Sequence, residues 1–525
     1  MSRQLRGALW HVAAIVLSSS LINLAAPVGG GLTPLAFIAF APWLAVLSRD
    51  IRPSMAFISG LAMGLVYIIP LHWPTFAAAV AAGGAQGWKL HLTTLGFFVC
   101  YALPFALYAP VDSLLRRHWT LPDPLWALLR AALLASLMCL VWAPFPYTPT
   151  VIITEWSSLL QVAAIGGEPL LLMLMLWPSA VLAGLLRQPF TRAGVTRAVM
   201  PLAVGLLLVH VHGSWRIQKM DQAEADGAGQ QLSALPLQMD LPHRSTAQML
   251  TRDRQRGRQS ALELTRRALA DAPRCELVIW PEVPLTAERS RPACEQGRRM
   301  ATSLGLPLLM QCYRQVGRDG FATGLDLQLQ VSAEWLLPEE TGQSNLWHGK
   351  SSLVPFYEQP LFRSGHLQAG QPGSVFELDS ERRLIPTLCY ELHSRKHMRQ
   401  GVFNGGNIVA HMASFTPFSR HPIDRWDLAM AQLRAVEFGV PILRATNRGP
   451  VGWIDANGRV RALSERFGRH AECQDIWTPS GKATLYTYIS PVAAALPAII
   501  FLLLGWAFAP EHNCSEAPKL LQGRA

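Results

Sequence analysis

Leu384-Ile385-Pro386-Thr387-Leu388-Cys389-Tyr390-Glu391 is an apolar run that ends in a cysteine, an aromatic residue and a carboxylate. A short apolar run of this kind reads as a buried strand. Thiolate is the reactive form of cysteine, and a nearby lysine ammonium would lower the thiol pKa from its free value of about 8.5. Alone, Cys389 reads as an inert core residue. It gains chemical meaning from two motifs upstream.

Leu277-Val278-Ile279-Trp280-Pro281-Glu282 is a second apolar strand, and it delivers a carboxylate at its end. A Glu desolvated there has a raised pKa and can act as a general base. Gly349-Lys350-Ser351-Ser352-Leu353-Val354-Pro355-Phe356-Tyr357-Glu358-Gln359-Pro360-Leu361 places a lysine ahead of a Val-Pro turn. Its ammonium can sit over a developing oxyanion, with Glu358 orienting it or gating the site. Taken singly, Glu282 is a loop carboxylate and Lys350 a surface lysine. From about Leu232, short apolar runs alternate with amphipathic stretches. The pattern gives a helix at 249–271 (Met249 to Asp271) and strands at 276–280, 304–312 and 324–331. This is an α/β domain, and in such folds functional groups gather where strands end.

The remainder of the chain is of another kind. Of 525 residues, 50% are hydrophobic and only 15% charged, where soluble proteins carry about a quarter charged. Apolar residues crowd the first 212 positions and return near residue 486. Lipid offers no partner for an unpaired backbone N–H or C=O, so a span needs roughly 20 apolar residues in helix. Eight segments qualify or nearly do, at about 8–27, 33–48, 54–73, 90–110, 125–145, 159–186, 197–213 and 486–508. Pro104 and Pro178 are expected to kink their helices. The resulting division is a seven-helix region at 1–214, a globular domain at 215–484, an eighth helix at 485–509 and a tail at 510–525.

Basic residues alternate between loops. Arg3 and Arg6, Arg49 and Arg52, Arg116 and Arg117, and Arg187 and Arg192 mark every second loop, and the loops between them are almost bare. By the positive-inside rule the N-terminus is cytoplasmic and the central domain lies outside. Lys519 and Arg524 return the tail to the cytoplasm. These loop arginines account for the net charge of +11. No zinc-finger spacing, RNA-binding signature or sustained run of like charge points to nucleic acid.

Cys100 and Cys139 fall within the membrane and Cys514 in the tail, leaving Cys275, Cys294, Cys312, Cys389 and Cys473 outside. Five is odd, and the distribution argues against a disulfide framework, so Cys473 is expected to be replaceable without effect. No cysteine or histidine spacing suggests a metal site. Glu168, beside Gly166 and Gly167, is the only carboxylate well inside an expected span. Intramembrane carboxylates can mark ion pathways, but a boundary position next to Pro169 is the simpler reading.

Together the three motifs resemble, in order, type and surrounding words, the nitrilase superfamily, whose catalytic triad is Glu, Lys and Cys. Framed by seven helices before and one after, they are similar to its membrane members, the apolipoprotein N-acyltransferases. Leu159-Leu160-Gln161-Val162-Ala163-Ala164-Ile165-Gly166-Gly167 resembles that family's entry into the sixth helix. Leu443-Arg444-Ala445-Thr446-Asn447-Arg448-Gly449, followed by the Gly458 turn, adds to the resemblance to the family. The resemblance implies a polytopic bundle of about eight helices carrying a nitrilase-like αββα sandwich. It implies Glu282 as general base, Lys350 as oxyanion stabiliser and Cys389 as nucleophile, with Glu358, Tyr390 and Glu391 supporting them. The implied reaction is ping-pong acyl transfer from a membrane phospholipid, through a cysteine thioester, to the α-amine of a diacylglyceryl-cysteine on an apolipoprotein. No metal, nucleotide or other cofactor is implied. The implied setting is a monomer in the bacterial inner membrane with its catalytic domain facing the periplasm.

The chain departs from the family in places. The family's Asn-Asp-x-Trp-Phe word is replaced within Ile408-Val409-Ala410-His411-Met412-Ala413-Ser414-Phe415-Thr416-Pro417-Phe418. Its Gln-Gly-Asn near the domain start is replaced by Leu237-Gln238-Met239-Asp240, and the Trp usual soon after is missing. The glycine of Val-Pro-Phe-Gly-Glu is Tyr357. These changes line the pocket and bear on substrate. Two other readings therefore stand beside the first: a diverged membrane-tethered amidase or acyltransferase of a conjugation system, and a non-catalytic membrane protein.

Overall fold

The computed structural model describes the chain except at residues 1–2, 28–29, 49–50, 120, 188, 190, 242–250, 273, 283–291, 317–327, 340–345, 360–366, 419–421, 482 and 508–525. Expectations resting on Arg49, Met249, Gly324, Leu361, Cys514 and the 510–525 tail fall outside the described residues. Among the described residues, six helices are long and apolar enough to cross a membrane: Gly7–Ala25, Pro53–Ala82, Trp88–His118, Asp123–Leu140, Ala163–Leu185 and Arg192–Ala225. The second expected segment is a shorter apolar stretch, Thr33–Leu47. The eighth is broken into Leu485–Ala493 and Leu496–Ala507. Pro70, Pro74, Pro104, Pro110 and Pro178 all lie inside helices, where each removes one backbone hydrogen bond.

Arg192–Ala225 runs for 34 residues, about 50 Å at 1.5 Å per residue, so it extends beyond what a bilayer needs. Its last turns grip the globular part: Asp221 and Glu224 pair with Arg459 and Arg461, the latter at 2.6 Å. Ala163–Leu185 is broken near its start, where Gly167 adopts φ 66°. A Cβ there would strike the Tyr486 ring, so the position requires glycine for both conformation and space. Glu168 follows at this break. It is fully buried, its N–H donates to Glu437 Oε1 at 2.7 Å, and its carboxylate accepts from Thr148 Oγ1 and Arg395 Nη2, each at 2.6 Å. Glu168 is therefore a structural ion-pair partner at a helix break.

The globular part is two sheets face to face. One runs His470–Ala471, Gln230–Gln238, Leu277–Ile279, Leu308–Val316, Gln328–Leu336, Leu346–Gly349, with Gln474–Thr478 also pairing Gln230–Gln238. The other runs Val460–Leu463, Gly452–Ile454, Ile442–Asn447, Ile408–Ser414, Arg383–Leu388, Phe376–Glu377. Gln230–Gln238, Leu277–Ile279 and Leu308–Val316 are mutually parallel, as are Arg383–Leu388, Ile408–Ser414 and Ile442–Asn447. These strands are apolar on both faces because both are covered. Alternate residues, such as Leu384, Ile408 and Leu443, meet Leu277, Leu309 and Val331 in the sandwich interior. The other faces take helices: Ala261, Ala268 and Ala301 pack on the first sheet, and Met398, Ala431 and Ala435 on the second. The result is an αββα sandwich.

The helix Ile423–Phe438 is buried on both sides. Ala431 and Ala435 face the second sheet, while Trp426, Met430 and Leu433 join the cluster formed by the membrane helices. One helix thus serves as the layer between sandwich and bundle.

The expected strands at 304–312 and 324–331 are shifted. Residues up to Leu304 complete the helix Pro292–Leu304, and the strands are Leu308–Val316 and Gln328–Leu336. The expectation of no disulfide is also corrected, since Cys275 and Cys473 are bonded across 198 residues. Cys275 precedes Leu277–Ile279 and Cys473 precedes Gln474–Thr478, and both strands flank Gln230–Gln238. Sheet pairing brings the two thiols together, which counting cysteines does not reveal. Cys473 is accordingly not a silent position.

Candidate active site

Three strand ends build the site. Leu277–Ile279 delivers Glu282, Leu346–Gly349 delivers Lys350 and Arg383–Leu388 delivers Cys389. Lys350 is 1% exposed, and its Nζ donates to Glu282 Oε1 at 3.0 Å and to Glu358 Oε1 at 2.7 Å. Glu358 accepts a further bond from the Val354 N–H at 2.7 Å, so the Val-Pro turn that follows the lysine curls back to fix its second carboxylate. Cys389 sits at φ 47°, a conformation that costs a non-glycine residue and persists at functional sites when the surroundings enforce it.

Electrostatics here follow from two carboxylates around one ammonium. Burial pushes the Glu282 carboxyl up to about 7, against the pull of Lys350, and the Cys389 thiol hydrogen-bonds to it. Burial also desolvates Lys350, but Glu282 and Glu358 outweigh that and hold its pKa well above the ordinary lysine value. The Cys389 thiol is raised by burial and by Glu282 more than Lys350 lowers it. The lysine lowers the thiol pKa as expected, but the net shift is the reverse of the expected lowering. The resting pair is a neutral thiol facing a carboxylate, the arrangement of a nucleophile activated by an adjacent base. Thioester formation is therefore expected to fall tenfold per pH unit as Glu282 protonates below about 7. Initial rates between pH 5 and 8 check this. Glu282→Gln should flatten the acid limb, and an unchanged limb in that variant would remove Glu282 from the base role.

Glu391 is fully buried and clasps two of the strand ends. It accepts from the Leu388 N–H at 2.9 Å, from Ser351 Oγ at 2.7 Å and from the Ser351 N–H, binding the neighbour of Cys389 to the neighbour of Lys350. His348 Nε2 donates to it at 3.0 Å. Burial alone would raise the Glu391 carboxyl, but His348, His397 and these hydrogen bonds hold it below the usual carboxylate range. His348, Glu391 and His397 have the residue types of a metal site, yet the ring nitrogens of His397 are both used. Its Nδ1 accepts from the Gly373 N–H at 3.0 Å, and Nε2 donates to the Pro386 carbonyl at 2.8 Å. The cluster is a closed hydrogen-bonded clasp with no lone pair on His397 left for an ion.

Tyr390 points toward the membrane helices: its hydroxyl donates to the Pro144 carbonyl, and its ring lies edge-on to Phe145. Tyr357 packs with Phe356 and Tyr390 against the membrane-helix cluster. The altered 408–418 stretch lies beside the thiol, with Ala413, Phe415 and Phe418 packed on Ala79 and Cys389. His411 is fully buried between Thr387 Oγ1 at 3.0 Å and Asp427 at 3.3 Å. Sequence reading missed His348, Ser351 and His397. Period-two alternation was the available signal for the first, because it puts residues 348 and 350 on one face of their strand.

Residues 244–478 match the carbon-nitrogen hydrolase family. Proteins named apolipoprotein N-acyltransferase are similar over most of the chain. The one from Geobacter metallireducens is 26% identical over 482 residues, covering 86% of each chain. That from Azotobacter vinelandii is 27% identical over 527 residues, covering 94% of this chain and 96% of its own, and that from Pseudomonas syringae pv. tomato is 25% identical over 523 residues, covering 92% and 96%. Among solved structures, Saccharomyces cerevisiae Nit3 of the nitrilase superfamily aligns with TM-score 0.36 at 15% identity, covering 50% of this chain and 94% of its own. An amidase from Nesterenkonia sp. aligns with TM-score 0.35 at 15% identity, covering 50% and 93%.

Proposed function

We propose that this chain, similar along most of its length to apolipoprotein N-acyltransferases, moves an acyl chain from a membrane phospholipid to the N-terminal amine of diacylglyceryl-cysteine on apolipoproteins. The observation that carries the proposal is the convergence of Glu282, Lys350 and Cys389 from three strand ends on a face packed against membrane helices. In the first half-reaction Glu282 takes the thiol proton as Cys389 Sγ bonds to the ester carbonyl carbon. Lys350 holds the oxyanion, and the ester C–O bond breaks as the departing lysophospholipid oxygen receives the proton from Glu282. In the second, the acceptor amine attacks the thioester, Glu282 takes its proton, and the C–S bond breaks to restore the thiol. Both substrates are anchored in the same bilayer, which raises their effective concentration at a tethered site.

Orientation completes the proposal. The arginine alternation supports a sandwich on the periplasmic side of a bacterial inner membrane. A periplasm-dependent reporter fused after residue 230 should be active and one fused after residue 120 silent, and the reverse pattern would separate the site from outer-leaflet substrates. Expression in a bacterium depleted of its own apolipoprotein N-acyltransferase should restore growth and triacylated lipoproteins. Tyr357 and the 408–418 stretch favour a second reading, a diverged enzyme with the same first half-reaction and another acceptor, because they lie on the membrane-facing side and beside the thiol. Failure to complement, with a persistent thioester on Cys389, selects that second reading.

A further inference from the structure

The loop that receives Tyr390 at Pro144 also lines a cavity of about 230 Å³ among Pro53–Ala82, Trp88–His118 and the end of Asp123–Leu140. It exceeds the roughly 150 Å³ apolar cavity that suffices to bind benzene. Tyr67, Pro104, Met138 and Val141 give it apolar walls. At its rim Leu140 and Trp142 keep 57% and 60% of their surface exposed, as expected where a helix end meets lipid and headgroups.

Arg395 is the only charged side chain among the lining residues. Its Nη2 is held by Glu168 at 2.6 Å, while its buried Nε has no hydrogen-bond partner among the described residues. Buried donors without partners are rare. Arginine can satisfy a carboxylate with one part of its guanidinium and a phosphate with another.

We infer that this cavity is a phospholipid site, in which a phosphodiester oxygen accepts from Arg395 Nε and an acyl chain lies among the three helices. The inference rests on the acyl-donor reading above and names where the donor's phosphate would be held. Tyr147 joins the two places, lining the cavity and standing edge-on to His393, with ring centroids 5.1 Å apart, on the turn that carries Cys389.

Two free cysteines, Cys100 and Cys139, line the cavity and report on it without turnover. In the full-length protein in maltoside micelles, phosphatidylglycerol should slow maleimide labelling of Cys139 at least fivefold, read by peptide mass. Inorganic phosphate and diacylglycerol should each slow it less than twofold. Glu168→Gln with Arg395→Gln, which keeps the Arg434–Glu437 pair and strands no lone charge, should abolish the protection, measured against that variant's own lipid-free labelling rate. Cys100→Trp, which fills the cavity and leaves the ion pair intact, should abolish the phosphatidylglycerol effect as well. Absence of protection, equal protection by diacylglycerol, or protection that survives both variants would overturn the inference. Protection without any thioester on Cys389 would overturn the acyl-donor reading and leave the lipid site standing.

Discussion

Cys389→Ala is expected to eliminate acyl-enzyme formation, not merely to slow it. The thioester needs a sulfur at the position where Glu282 is placed to take its proton, and no other described cysteine is in this cluster. Cys312 is buried in a different core cluster, and Cys275 and Cys473 are consumed by their bond. The substitution removes a half-buried side chain of modest size, so the folded state should be kept. The check is the rate of lysophospholipid release by purified protein, with circular dichroism and thermal unfolding alongside. Release at the wild-type rate would exclude covalent catalysis at this residue.

Lys350→Met should have the second largest effect, and on two observables at once. Removing an oxyanion donor typically costs about a hundredfold or more in rate. The substitution also strips the counter-ion from Glu282 and Glu358, two carboxylates with side chains only 13% and 8% exposed. Removing one partner of a buried pair costs about 3–5 kcal/mol in stability, reduced here because one carboxyl can protonate. The expected result is a loss of at least a hundredfold in thioester formation together with a lower unfolding temperature. Adding Glu358→Gln to Lys350→Met should recover much of the stability and none of the rate. A single variant within tenfold of wild type would show that Lys350 is a structural ion and that the oxyanion is held elsewhere.

The site was legible in the sequence to the extent that local chemistry carries it. Glu282 and Cys389 each follow an apolar parallel strand, and the ends of such strands are where side chains leave the core. Lys350 instead follows Leu346–Gly349, a short antiparallel edge strand, and was legible only from the Val-Pro turn after it. Their convergence needed the three-dimensional pairing, because 68 residues separate Glu282 from Lys350. The clasp made by Glu391 was anticipated only as support; the sequence signal for its partner His348 is the alternation that puts it on one face with Lys350, and Ser351 carries none beyond its nearness to Lys350. Lys350 does pull the thiol pKa down, as expected, but the net shift is upward, since the sequence shows neither the burial of Cys389 nor the Glu282 carboxylate beside it. Hydropathy alone gave six of the eight expected membrane segments as long apolar helices, apart from their ends, whereas the second is a shorter stretch and the eighth is broken in two among the described residues. The disulfide and the Glu168–Arg395 pair were not, because each joins distant segments whose local composition is unremarkable.

The central claim is that this site opens a phospholipid ester through Cys389. Purified protein incubated with a phospholipid of defined acyl chains, then digested and weighed, tests it directly. The peptide containing Cys389 is expected to gain the mass of one donor acyl group, hydroxylamine to remove the added mass, and an equal amount of lysophospholipid to appear. An unmodified Cys389 peptide under conditions where the protein is folded, or lysophospholipid release with no adduct on this residue, would contradict it.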